Sequence, residues 1–264
     1  MLSHHMILHD LKFVVEDRIA VIQFNRQQVL NALRTVTLKE IYEVMKRVEN
    51  DSKVAAVILT GSGRAFSSGA DIKEVRNMGP NEARRFARLA HRAFGQIEGS
   101  SKPVIAAVNG FALGGGCDLA LVCDLCIASE DAVFGEPTAA LGIVTAFGGT
   151  ARLPRVVGVR RAKEMFLLGK MLNAEEAERV GLVNKVVKRK FLLREAKRLA
   201  RKLLEGAPFA LTSLKQLVNS CLSVGLREAD VNEIESFARC FETLDQKEGM
   251  LAFLEKRSPK FMGR

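Results

Sequence analysis

Tryptophan is absent from this 264-residue chain, tyrosine occurs once, and three of the four histidines fall within the first nine positions. Single-stranded nucleic acid is gripped by aromatic platforms, so the scarcity of Trp and Tyr argues against that partner, although 40 Lys and Arg against 30 Asp and Glu leave a net charge of +10. The same positive balance suits a phosphorylated small molecule. Beyond the N-terminal segment His91 is the only histidine, and it reads as an exposed helix residue; no Ser-His-Asp or Cys-His set is available for nucleophilic catalysis. Five cysteines at irregular spacing make no disulfide framework and point to a reducing compartment. Cys123-x-x-Cys126 lacks a second ligand pair and reads as buried thiols rather than zinc ligands, and no metal is expected elsewhere, His4 and His5 included. Long apolar runs are missing too. Nothing approaches the ~20 residues that cross a bilayer, and no basic-then-apolar leader opens the chain, so a soluble, cytoplasmic protein is expected.

What is present is a composition 48% hydrophobic, ample for a packed core. Lys12 to Val15 and Ile19 to Phe24 read as a hairpin, Leu38 to Val48 as a helix capped by Thr35 or Thr37, and Val54 to Leu59 as a buried strand. A loop over Thr60 to Gly69 opens into Ala70-Asp71-Ile72-Lys73, and Gly79-Pro80 starts a basic amphipathic helix. Leu125 to Ala128 and Val133-Phe134 read as the last strands. Beyond about residue 155 every periodic segment is helical, which separates a mixed α/β part from an all-helical tail, and the chain is expected to divide into a core over 7–200 and a helical C-terminal region over 201–264. Lys188, Arg189, Lys190, Arg194, Lys197, Arg198, Arg201 and Lys202 make one helix strongly basic, a solvated face on the simplest reading.

The chain is organised around Lys102 to Asp118, KPVIAAVNGFALGGGCD. Val104 to Val108 is apolar without alternation, as in a strand covered on both faces. After the Asn109-Gly110 turn, Gly114, Gly115 and Gly116 let backbone approach a ligand without Cβ interference, and free amides at a helix start would face it. Asp118, three residues beyond Gly115, would share a helix face with it and bring a carboxylate to the same group. Two readings stay open: an oxyanion pocket with its own acid or base, or glycines that only permit close helix-on-strand packing beside a first-turn acid.

The order of these parts resembles the crotonase family, the enoyl-CoA hydratases and isomerases. The resemblance rests on Asn31-Ala32-Leu33, Phe66 to Lys73, Lys102 to Gly110, Ala112 to Gly116, Gly148-Gly149-Thr150, and Gly249 with Ala252 to Arg257. It implies an α/β fold: a crotonase-like spiral core of repeated ββα units with a C-terminal all-helical region that builds trimers or hexamers. It also implies acyl-CoA thioester substrates, with coenzyme A as part of the substrate and no separate cofactor. The amides of Ala70 and Gly115 would stabilise a thioester enolate. Ala70, Asp71, Ile72 and Lys73, with Phe253 and Lys256 from the C-terminal region, would hold the CoA moiety.

The sequence departs from the family where its hydratases carry two glutamates. Asp118 stands at the first position and Thr138, in Phe134-Gly135-Glu136-Pro137-Thr138, at the second; threonine neither gives nor takes a proton near neutral pH. Ile143 to Phe147 contain no substitute acid. Glu136 is the remaining nearby carboxylate and reads as a loop-end or ion-pair residue, with Thr138 capping the next turn; a role as stand-in for the missing acid is the alternative. The expected activity is hydration of an enoyl-CoA. The alternatives are double-bond isomerisation with a single acid, or a weakly catalytic relative that binds acyl-CoA or RNA.

Overall fold

The computed structural model describes residues 7–221 and 223–263, so His4 and His5 lie outside the described residues. β1 (Leu11–Glu16) and β2 (Ile19–Phe24) form the expected hairpin, turning through Asp17 and Arg18, both at positive φ. In α1 (Thr35–Asn50) the Thr37 hydroxyl accepts the Arg34 amide and closes the first turn. Three times the chain then lays one strand into a large sheet, the next into a small sheet, and returns through helix. The first unit is β3 (Ala56–Gly61), β4 (Ala65–Ser67), α2 (Ile72–Val75) and α3 (Pro80–Glu98). The second is β5 (Val104–Val108), β6 (Phe111–Leu113) and α4 (Gly115–Leu121); the third is β7 (Leu125–Ser129), β8 (Val133–Gly135) and α5 (Gly149–Val157). There follow α6 (Val159–Leu168), β9 (Leu172–Asn173), α7 (Ala174–Arg179), β10 (Lys185–Val187), α8 (Leu192–Leu203), α9 (Pro208–Cys221), α10 (Leu226–Cys240) and α11 (Leu244–Leu254).

The large sheet runs β1-β2-β3-β5-β7-β10, parallel from β2 onward, and the small sheet runs β4-β6-β8-β9. The continuous apolar runs now have a reason. In β5, Val104, Ala106 and Val108 face the main core under α1 and α3, while Ile105 and Ala107 face a second core closed by Leu192, Ala196 and Ala200 of α8. Both faces of the strand are dry, which removes any call for alternation. The opposite side of α8 is basic and largely neutralised: Lys197 pairs with Glu16 (2.7 Å), Arg201 with Asp17 (3.1 Å) and Arg198 with Glu195 (3.1 Å). That is the solvated face read from the sequence.

Three sequence expectations need correction. The strands do not end near residue 149: β9 pairs with β8, and β10 adds a parallel edge strand beside β7. Two and three residues are too short to show a period, and only pairing makes them strands. The loop over Thr60 to Gly69 likewise contains β4. Glu136, read as a loop-end residue, is fully buried. The tail, whose docking the sequence left undecided, lies on its own chain: Lys215 of α9 reaches Asp124 (2.8 Å) and the Lys102 carbonyl (3.1 Å). Between α9 and α10 remains a groove of ≈ 790 Å³ lined by Leu214, Leu217, Val218, Leu226, Ile234 and Phe237. No described helix is long and apolar enough to cross a membrane.

The two sheets meet where α4 crosses β4. A Cβ on Gly116 would lie 2.1 Å from the Ser67 carbonyl oxygen, backbone against backbone. Gly116→Ala is expected to cost about 1–3 kcal/mol of stability by overpacking, read as a lower urea midpoint at unchanged slope.

Candidate active site

β5 delivers the chain to Asn109, whose side chain ties down the preceding loop. Its Nδ2 donates to the Gly63 and Ala65 carbonyls (3.0 and 3.1 Å), and its Oδ1 accepts from the Gly61 amide (2.9 Å). Asn31 grips the loop from the other side, donating to the Ser62 and Ala65 carbonyls (2.9 and 2.7 Å). Loop residues 67–71 are then threaded past Leu33, whose amide donates to the Gly69 carbonyl (2.7 Å) and whose carbonyl accepts from the Asp71 amide (2.9 Å). Ala70 is left between these two bonds.

Gly114, at φ 49°, turns the chain from β6 into α4, a conformation that a β-carbon disfavours. The turn brings the first amide of α4 against the Ala70 loop: a Cβ on Gly69 would lie 2.6 Å from the Leu113 carbonyl oxygen and 3.0 Å from the Gly115 nitrogen. The backbone of Ala70 and of Gly115 is thereby adjacent, as two donors to one oxygen must be. Behind Gly115 lies the Phe147 ring, which a Cβ there would meet at 2.4 Å and which packs on Phe86 and Phe94 with centroids 5.6 and 5.5 Å away.

One turn into α4, Asp118 is 0% exposed. Gly149 covers it so closely that a Cβ would stand 1.8 Å from Oδ1, and the Thr145 hydroxyl donates to Oδ2. Burial pushes the Asp118 carboxyl up to about 6, against the Thr145 hydroxyl, the Glu136 carboxyl, the Phe147 amide and the Arg152 charge, which favour the anion. Arg152 is itself held by Glu98 through two bonds of 2.7 and 2.6 Å. Glu136, also 0% exposed, packs against Asp118 and Cys117; burial first, then the Asp118 charge, push its carboxyl up to about 10. Burial likewise holds the Cys117 thiol protonated.

Thr138 is half-buried, its Cγ2 facing Gly114, and no side-chain cap closes its turn, contrary to the capping expectation. Asp71 is buried, bonded to the Lys73 amide (3.1 Å) and ion-paired with Arg26 (2.9 Å), so it shapes the loop while Ile72 and Lys73 face outward. Phe253 and Lys256 are exposed on the C-terminal segment; no hydrogen bond, ion pair or ring contact among the described residues joins them to Ala70–Lys73. His91 is exposed on α3, as expected. The sequence reading missed Thr145, Phe147 and Cys117. Thr145 lies in a stretch searched only for acids. Glu136 had a weak signal in the sequence, following the apolar Val133-Phe134 run directly.

An α/β fold of repeated ββα units thus places two adjacent loop amides beside a buried acid. The chain matches the enoyl-CoA hydratase/isomerase family over residues 15–264 and belongs to it. It is 47% identical to the short-chain-enoyl-CoA hydratase of Clostridium acetobutylicum, over 96% of this chain and 97% of that one. Against the crotonyl-CoA hydratase of Syntrophomonas wolfei it is 46% identical, over 94% and 96%. Its fold superposes on an enoyl-CoA hydratase from Bacillus anthracis with a TM-score of 0.93 at 34% identity, covering 97% of this chain and all of that one.

The raised carboxyl of Asp118 has a stability consequence. A folded value near 6 against 3.8 for the ordinary group means that the folded state binds the proton more tightly, so stability falls as pH rises through that window and stays lower above it. The full effect is about 3 kcal/mol. Asp118→Asn is expected to flatten this part of the profile and to melt higher than the parent at pH 7.5, followed by thermal denaturation across pH 4–8.

Proposed function

We propose that this protein is a short-chain enoyl-CoA hydratase, adding water across the C2–C3 double bond of an enoyl-CoA thioester. The observation that carries the reading is the buried Asp118 carboxyl, titrating close to neutrality, in the same turn as the Gly115 amide and beside the Ala70 loop. The Ala70 and Gly115 amides receive the thioester oxygen as negative charge develops on it. Asp118 has no exposed surface of its own, so the proton reaches it through the half-buried Thr145 hydroxyl, which gives its hydrogen to Oδ2 while accepting one from the attacking water. Water oxygen bonds to C3, the C2–C3 π electrons move to the thioester as an enolate, and the proton held at Asp118 returns to C2. One water is consumed and the charge is unchanged.

Thr138 takes the place of the family's second glutamate and can orient a water but not ionise it. A single acid also suits double-bond migration, which makes isomerisation the competing reading. The Phe147 ring, packed under Gly115 between Phe86 and Phe94, fills the space behind the oxyanion donors and favours a short acyl chain. Ile72 and Lys73 are exposed where they would meet CoA phosphates, and Phe253 and Lys256 approach from a neighbouring subunit. The apolar groove between α9 and α10 supports a trimer or hexamer, and five free cysteines support a reducing, cytoplasmic setting. Coenzyme A serves as the substrate's handle and no further cofactor is required.

Crotonyl-CoA and 3-enoyl-CoA assayed side by side separate the two activities; migration without hydration would replace this reading by the isomerase. Asp118→Asn is expected to lower kcat by about 10² to 10⁴ with little change in acyl-CoA affinity, because it keeps shape and removes the base. Near-parental turnover by Asp118→Asn would move the base elsewhere. Thr138→Glu should raise hydration by restoring a second acid at the cleft. Sedimentation at micromolar concentration is expected to give three or six copies, and an active monomer would remove Phe253 and Lys256 from the CoA site.

A further inference from the structure

One buried titratable group has no part in the scheme above. Glu136 follows β8 and stands at the start of the short turn Pro137–Leu141, with none of its surface exposed. Neither of its oxygens has a hydrogen-bond partner, the Cys117 thiol being the one weak donor beside it, and Oδ1 of Asp118 has none either. The groups facing it come from the first turn of α4: the Asp118 carboxyl and the Cys117 thiol. Arg152 on α5 is a cation that acts on Asp118, and it is occupied by Glu98 and the Gly148 carbonyl. Two carboxylate charges side by side in a dry site, with no counter-ion on one of them, are strongly disfavoured, and each orphaned buried acceptor adds its own desolvation penalty.

We propose that Asp118 and Glu136 share a single proton, held on Glu136, whose carboxyl O–H donates to Asp118 and so positions and steadies the base. That proton and the Cys117 thiol together account for every orphan in the cluster. The Glu136 hydroxyl serves Oδ1 of Asp118, the Thr145 hydroxyl serves Oδ2, and the Cys117 thiol donates to the remaining oxygen of Glu136. The resting pair carries one negative charge. It becomes neutral when Asp118 takes a proton from water, and returns to one negative charge when that proton leaves for C2. Glu136 does not touch the substrate; it acts through Asp118 as a positioning residue. The assignment rests on the reading of Asp118 as the base, and it places a second carboxyl on the buried side of that base, where Thr138 offers none on the cleft side.

The pH dependence of kcat/KM follows from the groups named. Activity rises through about pH 6 as Asp118 becomes the anion, and falls at alkaline pH as Glu136 loses its proton toward about 10. Glu136→Gln keeps a donor toward Asp118 and cannot ionise, so the acidic limb is expected to stay near its parental position while the alkaline limb disappears. Glu136→Leu removes the donor; the acidic limb is expected to move up by about one to two pH units, with a loss of about two- to tenfold at pH 7. Infrared spectra of the unmodified protein and of Glu136→Gln keep the test alive if the leucine variant does not fold. At pH 7.5 the parent should show the C=O band of a buried protonated carboxylic acid, sensitive to deuterium exchange, and Glu136→Gln should lack it.

Absence of that band from the parent would overturn the shared proton, as would an unchanged alkaline limb in Glu136→Gln. A band present in a protein that hydrates no enoyl-CoA would leave the shared proton standing and remove the reading of Asp118 as the base of a hydratase.

Discussion

The contact on which the site depends is one backbone lying against another without a β-carbon between them. Gly116 of α4 rests on the Ser67 carbonyl, and Gly69 rests on the Leu113 carbonyl and the Gly115 amide. Side chains at those positions would hold the two loops a methyl group further apart, and the backbone of Ala70 and of Gly115 would no longer lie side by side. The rest of the molecule fixes that approach. The ββα repeat supplies β4 and β6 as neighbours in the small sheet, Asn31 and Asn109 lock the connection from β3, and the double-sided packing of β5 sets the point from which β6 departs.

The same closeness makes the acid expensive. Gly149 lies directly over Asp118, leaving the carboxylate few donors, so its ionisation is opposed by burial and relieved by Thr145, Glu136, the Phe147 amide and Arg152. A fully solvated carboxylate would be a weak base near its ordinary value; one buried beside a second carboxyl and given partial relief titrates near neutrality. Stability lost to the buried charge and basicity gained at neutral pH have one origin.

Much of this was legible in the residues. Unalternating Val104 to Val108 announced a strand buried on both faces, and the glycine triplet followed by Asp118 announced a close helix start with an acid inside it. The glycines do permit close helix-on-strand packing, and that packing also sets the Ala70 and Gly115 backbone side by side. Elements that depend on long-range pairing were not legible. β4, β9 and β10 are two or three residues long and exist only because a neighbour accepts their hydrogen bonds. Glu136 was misjudged because a charged residue before a proline most often marks a surface turn, and only the fold, which sets Asp118 and Cys117 of α4 against it, shows that this one has no route to solvent. Thr145 was passed over because its hydroxyl matters through the partner the fold gives it.

The placement of carboxyls around the cleft constrains how the reaction can run. With an acid at Asp118 and another at the position of Thr138, two ionisable groups would face the substrate, and the water and the C2 proton could be handled separately. Here Thr138 does not titrate, and Glu136, two residues earlier, has gone to the interior side of Asp118. On the proposed reading all proton traffic therefore passes through Asp118 and its Thr145 outlet. The proton taken from water and the proton given to C2 must then use one side of the substrate, and the enolate has to persist at the Ala70 and Gly115 amides between the two transfers. Holding that intermediate falls to the rigid glycine contact, which links the closeness of α4 and β4 to the chemistry.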